Sequence, residues 1–359
     1  MRGMTTNLGA GYARGRDNTL NLMRLVLAAS VLVWHSYPLT GRSSPADGSW
    51  DRLFSSAFAV NAFFAISGFL IYRSWVKEPS VRAFLAARCL RILPAYWVCL
   101  VVTAVVIAPV AVLAAGDSFP WGAAPLRYVL DNALLVQVQW TIGDTLSSVP
   151  FEDAWNGSLW TLSWEFLCYL GILALGLLGM SRRKWLLWVV AGGVLVLNVA
   201  DAAGVAEDVS SVKMLARFGA FFFSGALLAQ HADAIPVNVW SAPLATLAVV
   251  GTIWLPAYQV FQAPVLAYAL LTIAIQNAPA ALHIRNDLSY GVYVFAFPIQ
   301  QALVLLGADA WHPLAFAAVA FAITLCPAAL SWHYVERPAL RLKRKIQSTT
   351  NPEPAPTAA

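Results

Sequence analysis

The stretch NLMRLVLAASVLVWHS, residues Asn21–Ser36, has the apolar content of a membrane-spanning helix and decides the fold class. It also contains a cation, Arg24, and a titratable imidazole, His35. The two are eleven positions apart, which at about 100° per residue places both side chains on one helix face. Polar groups are costly in a lipid-embedded helix, and this cost favours a functional role. The structural alternative is that Arg24 reaches the headgroups and His35 is satisfied at the interface.

The whole chain has the composition of a polytopic membrane protein. Of its 359 residues, 59% are hydrophobic and 11% are charged, whereas soluble domains carry about 25% charged residues. The four cysteines form no C-x-x-C pair and the histidines show no metal-ligand spacing, so the sequence predicts no metal site. Although the net charge is +5, the sequence contains no basic patch interleaved with aromatic residues, which argues against nucleic acid as a partner.

Apolar segments follow one another along the chain and predict an all-α, polytopic bundle of about ten transmembrane helices. They lie at about 20–37, 57–75, 93–114, 156–180, 185–202, 213–230, 239–255, 258–277, 286–307 and 313–335. A further stretch at about 125–140 suits a short interfacial or re-entrant helix. Ser67 and Gly68, in the second segment, favour close helix packing. No internal repeat is visible, which disfavours a transporter built from inverted halves.

Loop charges orient this bundle in the membrane. With a cytoplasmic N-terminus, most of the basic residues fall on the inner side: Arg2, Arg14, Arg16, Arg73, Lys77, Arg82, Arg88, Arg91, Arg182, Arg183, Lys184, Arg285, Arg337, Arg341, Lys343, Arg344 and Lys345. The outer side holds Arg42, Arg52, Arg127, Lys213 and Arg217. This positive-inside bias places both termini in the cytoplasm and favours an even number of spans.

The sequence predicts one membrane domain, residues 18–345, embedded in the lipid bilayer. Residues 1–17 are Gly-rich and basic and are expected to form a flexible cytoplasmic segment. The Pro- and Ala-rich residues 346–359 are expected to form a disordered cytoplasmic tail. Arg24 interrupts the first apolar run and no A-x-A-like site follows it, so no cleavable signal peptide is predicted.

A second polar group lies in the segment NGSLWTLSWEF, residues Asn156–Phe166. Glu165 lies about one-third of the way into this span from the outer side, where an isolated ionised carboxylate is expensive. It is therefore expected to be protonated, paired or lining a wet cavity. Glu165 and His35 fall at comparable depths, and a histidine–carboxylate pair can act as base and orienting group. The alternative is a structural hydrogen bond to a neighbouring helix.

A third cluster is RCLR, residues 88–91. Arg88 and Arg91 stand at positions i and i+3, so both guanidinium groups project from one side of a helix at the inner surface. Guanidinium groups suit the phosphate oxygens of a cytosolic donor. The competing interpretation is anchoring to anionic lipid headgroups.

Taken in order, these segments resemble the type 3 acyltransferase family of integral membrane proteins, which O-acylate carbohydrates and other surface molecules. The resemblance runs from about Asn18 to Lys345. It is carried by Arg24 with His35, FFAISGFLI (63–71), RCLRILPAYW (88–97), GSLWTLSWEFLCYL (157–170), LSYGVYVFAFPIQQ (288–301) and HYVERP (333–338).

The resemblance implies acyl-CoA, most often acetyl-CoA, as a donor bound from the cytoplasm. It implies that His35 is the essential histidine, with Arg24 as its partner in the same motif. The arginines that match Arg88 and Arg91 are associated with the donor side, which favours a CoA-phosphate site over lipid anchoring. Glu165 matches an acidic residue of the tryptophan-rich motif.

One departure from the family pattern is visible in the late Tyr-x-x-Tyr-x-x-His motif. After Tyr290 and Tyr293 this chain has Ala296 in place of the histidine that many members carry. A role assigned to that histidine therefore has no counterpart here, and a different acceptor is one explanation.

The sequence as a whole predicts an O-acyltransferase of the bacterial inner membrane, passing an acetyl group from cytosolic acetyl-CoA to a hydroxyl of an extracytoplasmic glycan or glycolipid. His35 is the expected base and Glu165 its orienting partner. The alternative is a transporter or flippase for a surface glycan or lipid, which the missing repeat disfavours. A glycan ligase or polymerase predicts large basic outer loops, whereas the outer loops here are modest and mostly acidic.

Overall fold

The computed structural model describes residues 6–13, 19–204, 210–276, 282–284 and 286–342, and this part of the chain is almost entirely helical. Its helices are α1 (Leu8–Ala13), α2 (Leu20–Leu39), α3 (Ser56–Lys77), α4 (Val81–Val102), α5 (Ala108–Ala114), α6 (Ala123–Asp131), α7 (Trp160–Leu177), α8 (Trp185–Ala202), α9 (Ser210–Gln230), α10 (Ser241–Thr252), α11 (Tyr258–Ile275), α12 (Ser289–Leu305) and α13 (Pro313–Ser331). Two-residue strands β1 (Thr6–Asn7) and β2 (Pro236–Val237) pair with each other. π-Helical turns at Thr103–Ile107 and Trp332–Glu336 join α4 to α5 and extend α13.

Among the described residues, eight helical segments are long and apolar enough to cross a membrane. They are Leu20–Leu39, Gly48–Lys77, Val81–Ala114, Trp160–Leu177, Trp185–Ala202, Ser210–Gln230, Tyr258–Ile275 and Pro313–Leu342. The apolar helices α10 and α12 have 12 and 17 residues, and are therefore shorter than the hydrocarbon core of about 30 Å. Each predicted apolar segment overlaps one of these helices. The predicted all-α membrane bundle is confirmed.

The outside of the bundle carries large apolar side chains. Val110 is 63% exposed, Val196 67% and Leu247 68%. A soluble protein rarely leaves so much apolar surface in contact with water. A bilayer covers such a surface without cost, because the backbone groups beneath it are already hydrogen-bonded within helices.

Helices α3 and α9 cross with their backbones in contact. A Cβ atom at Gly68 would lie 1.8 Å from the carbonyl oxygen of Phe222, and one at Gly225 would lie 2.0 Å from that of Ala65. Only glycine fits at both positions without a shift of backbone. The predicted role of Gly68 in close helix packing is confirmed.

The third long helix begins earlier than predicted. It was expected to begin at about residue 93, but α4 begins at Val81. The Ser80 side chain accepts the N–H of Ala83 and caps this helix at its first turn. Arg88 and Arg91, which were predicted to share one side of a helix, therefore lie on the same helix as the predicted span.

Part of the N-terminal segment that was expected to be flexible is folded. Thr6 pairs with Val237 in a short antiparallel ladder, and Leu8 is fully buried. Residues 1–5, 14–17 and 346–359 lie outside the described residues. So do several basic residues of the orientation argument: Arg2, Arg14, Arg16, Arg285, Lys343, Arg344 and Lys345.

Candidate active site

Three cavities follow one another along α2, from Arg24 to the residues beyond His35. The inner cavity, about 40 Å³, is lined by Arg24, Glu165 and Tyr293. The middle cavity, about 110 Å³, is lined by His35, Arg217 and Tyr293. The outer vestibule, about 920 Å³, is also lined by His35. Because neighbouring cavities share lining residues, they form one interrupted path along the face of α2 that carries both polar side chains.

His35 lies at the junction of the middle cavity and the outer vestibule. Its imidazole packs edge-on against Phe297, with ring centroids 5.1 Å apart. Gly157 leaves room for this arrangement, because a Cβ atom there would lie 2.7 Å from the Phe297 ring. Within the described part of the chain, neither imidazole nitrogen has a hydrogen-bond partner. Packing therefore positions the ring, and its nitrogens remain available to a molecule in the path.

The helix turn that carries His35 is anchored to α12. Gln300 Nε2 donates a hydrogen bond of 2.8 Å to Ser36 Oγ, next to His35. The adjacent Gln301 reaches the other way and donates to two backbone carbonyls of the loop at 151–154, which forms part of the vestibule wall. Two consecutive glutamines thus fix both sides of the vestibule, and both side chains are fully buried.

A proline in α12 provides the anchor for the start of α7. Pro298 has no N–H, so the carbonyl of Val294, four residues earlier, lacks its helical partner. Asn156 Nδ2 donates to that carbonyl at 2.8 Å, and Asn156 Oδ1 accepts the N–H of Ser158 at 3.1 Å. This contact fixes the beginning of α7, and therefore the position of Glu165, relative to α12.

Glu165 faces the inner cavity with Arg24. Its Oε1 atom accepts hydrogen bonds from Ser67 Oγ at 2.8 Å and from the Tyr169 hydroxyl at 2.6 Å. The predicted His35–Glu165 pair is not present: no hydrogen bond joins them within the described residues, and they line different cavities. The reason is geometric, since Glu165 lies more than one helical turn farther along α7 than the residues that reach the His35 cavity.

A pair of hydroxyl groups marks the boundary between the inner and middle cavities. The hydroxyls of Thr161 and Tyr293 hydrogen-bond to each other, and both residues line both cavities. The Tyr293 hydroxyl also donates to the Ser158 carbonyl at 2.9 Å. This small polar contact separates the chamber of Glu165 from that of His35.

Arg24, at the other end of α2, belongs to a buried ion network. Its Nη1 atom lies 2.5 Å from Asp287 Oδ2, and Arg91 Nη2 lies 2.6 Å from the same oxygen. Arg91 Nη1 is 3.2 Å from Glu336 Oε2, and the Glu336 side chain is 1% exposed. The network joins α2, α4, the segment before α12 and the π-helical turn after α13. Each charge in it faces an opposite charge.

Asp287 is the centre of this network. Its Oδ1 atom accepts the hydroxyl and the N–H of Ser289, at 2.5 and 3.3 Å, at the beginning of α12. Burial raises the pKa of the Asp287 carboxyl, but Arg24, Arg91 and the Ser289 hydrogen bonds outweigh burial and lower that pKa from 3.8 to about 2. Sequence reasoning did not identify Asp287 or give a role to Glu336, because its charge count included only basic residues.

Arg88 and Arg91 lie about one turn apart on α4 but differ in how many partners their guanidinium groups have. Arg91 is engaged by two carboxylates. Arg88 Nη2 makes one long hydrogen bond, 3.4 Å, to Ser74 Oγ, and its buried Nε has no partner within the described residues. Guanidinium donors of this kind fit phosphate oxygens. Of the two arginines predicted to bind a CoA phosphate, Arg88 is the one that retains donors for it.

Arg217 is a site residue that the sequence placed in an outer loop. It lies instead on α9 and lines the middle cavity with His35. Its Nε atom donates to Asn61 Oδ1 at 2.9 Å, and Nη2 donates to the Ala57 carbonyl at 3.0 Å. The apolar segment predicted at 213–230 already contained Arg217, and a cation inside a span was the signal that could have identified it.

The outer vestibule has aromatic and acidic walls. Trp140 and Trp160 line it, together with the carboxylates of Glu152 and Asp153 and the carboxamide of Gln139. Indole rings can stack on the apolar face of a sugar ring, and carboxylate and carboxamide oxygens accept hydrogen bonds from hydroxyl groups. Its volume of about 920 Å³ lies within the range of small-molecule sites.

The chain is similar in sequence to an acyltransferase family and to three curated proteins. A family model described as an acyltransferase domain, that of the type 3 acyltransferases, matches residues 17–333. "Nodulation protein 10" of Rhizobium leguminosarum bv. viciae is 28% identical over 369 aligned residues, which cover 93% of this chain and 96% of the relative. "O-acetyl transferase" of Shigella phage Sf6 is 27% identical over 333 residues, with 90% and 96% coverage. "Exopolysaccharide production protein ExoZ" of Rhizobium meliloti (strain 1021) is 27% identical over 314 residues, with 82% and 92% coverage. No solved structure gives a significant match.

Proposed function

The chain belongs to the type 3 acyltransferase family and is a membrane acyltransferase, and from this premise we propose its reaction. It moves an acetyl or other short acyl group from cytosolic acyl-CoA to a hydroxyl of an extracytoplasmic glycan or glycolipid. The observation that carries the proposal is the position of His35, which lies between a wide vestibule and a narrow path leading towards Arg24. One relative is named an O-acetyl transferase and another an exopolysaccharide production protein, which supports this reaction and this class of acceptor.

The acceptor enters through the outer vestibule. The vestibule is the wide part of the path, and its tryptophan rings and hydrogen-bond acceptors suit a sugar. A hydroxyl that reaches the inner end of the vestibule meets the His35 imidazole. An unprotonated imidazole nitrogen can accept the hydroxyl proton as the oxygen attacks, so His35 acts as general base.

The donor approaches from the Arg24 end of the bundle. Arg88 binds a phosphate of the CoA moiety, since it keeps unpaired donors, while Arg24 and Arg91 hold the ion network around Asp287. The inner and middle cavities, about 40 and 110 Å³, are much smaller than the vestibule of about 920 Å³, and we assign them to the acyl end of the donor. This difference in volume favours an acetyl-sized group and places donor and acceptor on opposite sides of His35.

The transfer needs no reactant besides the acyl donor and the acceptor hydroxyl. The acceptor hydroxyl oxygen bonds to the acyl carbonyl carbon while His35 takes the hydroxyl proton. The bond between that carbon and the donor sulfur then breaks, and the leaving thiolate receives the proton from His35. The products are the O-acyl ester and the free thiol of CoA.

Loop charges support the membrane orientation that this reaction needs. Basic residues concentrate at the end of the bundle that holds Arg24: Arg73, Lys77, Arg82, Arg88, Arg91, Arg182, Arg183, Lys184, Arg337 and Arg341. We place that end in the cytoplasm of a bacterium, with ten crossings of the inner membrane by a domain at 18–345 and both termini inside. The rival prediction of a transporter or flippase loses its basis, because the chain is an acyltransferase.

The test is acetylation of surface glycans in cells that lack the native gene and express a variant. His35→Ala is expected to abolish the mass increment of one acetyl unit per modified sugar, measured by mass spectrometry, while the protein accumulates in the membrane normally. The matched control is His312→Ala, since His312 is exposed at the start of α13 and its Nδ1 accepts the N–H of Leu314 in its own helix. Retained acetylation in the His35 variant would exclude His35 as the base.

A further inference from the structure

Arg217 differs from three other cations at the His35 end of the bundle. Arg42 and Arg52 donate to backbone carbonyls of surface loops, and Lys213 pairs with Asp201. Arg217 lines the middle cavity together with His35. A cation that opens into the reaction path in the outer half of a membrane bundle calls for a functional explanation.

The guanidinium of Arg217 is held in place without being neutralised. Asn61 accepts from Nε and the Ala57 carbonyl accepts from Nη2, at 2.9 and 3.0 Å, and the guanidinium carbon lies 5.2 Å from the centroid of the Phe218 ring. All three contacts are with uncharged groups. Among the residues that the structure describes, no carboxylate pairs with Arg217, and its Nη1 group has no hydrogen-bond partner. The guanidinium therefore keeps a fixed positive charge and an unpaired Nη1 donor group.

We propose that Arg217 stabilises the negative charge that forms on the acyl carbonyl oxygen when the acceptor hydroxyl attacks beside His35. The inference rests on the proposed function and adds a catalytic residue to it. As the hydroxyl oxygen bonds to the carbonyl carbon, the carbonyl π electrons move to oxygen, and His35 takes the proton. When the carbonyl re-forms, those electrons return and the carbon–sulfur bond breaks, with its electron pair leaving on sulfur.

The sign of the charge selects this role for Arg217. A protonated imidazole is positive, so Arg217 and His35 repel each other during the reaction and cannot act as an ion pair. The anion that develops in the middle cavity is the carbonyl oxygen. A fixed cation in a water-poor site stabilises such an oxygen strongly, because no reorganisation is needed when the charge appears.

The surroundings keep Arg217 free of a permanent counter-anion. Glu152 and Asp153, on the wall of the vestibule, repel anions that arrive from the outer side. Glu165 is the carboxylate farther along the path, and it is held by Ser67 and Tyr169 in the inner cavity. The positive charge therefore stays available for a transient anion.

The competing explanation is a structural one, in which Arg217 only ties α9 to α3. The variant Asn61→Asp separates the two roles. It keeps an oxygen in place to accept from Nε and adds a negative charge next to the guanidinium, so it preserves or strengthens the tie while neutralising the cation. A structural role predicts unchanged activity, and a charge-stabilising role predicts a large loss.

The assay uses permeabilised cells that lack the native gene, express the full-length protein and receive radiolabelled acetyl-CoA. Transfer is measured as alkali-labile label in the surface glycan. Arg217→Met and Asn61→Asp are each expected to lower the maximal rate on the order of 10²–10³-fold, with an unchanged KM for acetyl-CoA. Arg217→Lys is expected to recover part of the rate because it restores the charge. Arg52→Met, which removes a surface cation on the same side, is the matched control and is expected to retain the wild-type rate.

The outcomes are distinguishable from a failure of the proposed function. No label transfer by the wild type, or full transfer by His35→Ala, would overturn the proposed function itself. A dependence on His35 combined with a wild-type rate in Asn61→Asp would overturn only the role of Arg217. If Arg217→Met does not accumulate, Asn61→Asp still decides, because it keeps the contact between α3 and α9.

Discussion

The two ends of α2 treat charge in opposite ways. At the Arg24 end, two arginines and two carboxylates compensate one another in a buried network centred on Asp287. At the His35 end, an imidazole without a hydrogen-bond partner and a guanidinium without a carboxylate share a cavity, within the residues that the structure describes. Compensated charges stabilise a scaffold, whereas uncompensated groups beside a cavity remain available to a substrate. The contrast predicts which polar residues of the bundle hold the fold and which carry the proposed chemistry.

The energetic consequences of the two arrangements differ. Removing one member of a buried ion network leaves the remaining charges buried without a partner, which is strongly destabilising. Removing an uncompensated group relieves a local cost and affects the fold little, while its chemical contribution is lost. Variants at the two ends should therefore separate stability from activity.

Asp287→Ala is expected to give the largest loss of stability. It leaves Arg24 and Arg91 without their shared carboxylate, which costs about 3–5 kcal/mol in the free energy of unfolding. Denaturant or thermal unfolding of the purified protein in detergent measures it. The control is Asp201→Ala, because Asp201 pairs with Lys213 and both side chains are more than one-third exposed, so the loss is expected to stay below about 1 kcal/mol. Equal losses in the two variants would contradict the scaffold role of the network.

Arg88 and Arg91 give the same comparison within one helix. Arg88→Met is expected to raise the KM for acetyl-CoA roughly 10–100-fold, since a charge-assisted hydrogen bond contributes about 1.5–3 kcal/mol. Arg91→Met is expected to lower the free energy of unfolding and to leave that KM unchanged, because Arg91 is engaged by Asp287 and Glu336. Initial rates at varied acetyl-CoA, together with unfolding curves, measure both effects. A rise in KM for the Arg91 variant alone would reverse the assignment of the donor site.

Lowering the pH is expected to reduce the contribution of the Asp287 network to the free energy of unfolding, by less than the substitution Asp287→Ala does. The pKa of Asp287 is about 2 in the folded protein and about 3.9 in an unfolded chain. The ionised carboxylate therefore stabilises the fold above about pH 4, and this contribution is lost as the pH falls through about 2. The gap in unfolding free energy between the wild type and Asp287→Asn should narrow by about 2 kcal/mol between about pH 6 and pH 2. A gap that stays constant over this range would contradict the lowered pKa.

Much of the fold was predictable because its causes are local in the sequence. Apolar length located the membrane-spanning helices, and the small side chain of Gly68 correctly indicated a close helix crossing. The predicted beginning of α4, at about residue 93, was about three turns too late, because the cap at Ser80 was overlooked. Helix caps are local signals, so this error was avoidable.

Pairings between helices were not predictable in the same way. The similar depths of Glu165 and His35 in the membrane suggested that the two side chains meet. Depth does not fix the rotation of α7 about its axis, and Glu165 instead accepts hydrogen bonds from Ser67 and Tyr169. The loop-charge count assigned Arg217 to the outer side. In the structure α9 packs against α3, and Arg217 lines the middle cavity. Contacts of this kind depend on which helices are neighbours.

The sequence by itself determined that this protein is a helical membrane bundle and that Arg24 and His35 share one face of α2. Both follow from the transfer of apolar groups into lipid and from the 3.6-residue helical period, which act within a single segment. Only the tertiary structure decided that Arg24 is neutralised by Asp287 and that His35 shares a cavity with Arg217. The physical reason is that a partner charge acts over a few ångströms of space, and residues that lie 182 to 263 positions apart meet at that range only after the helices have packed.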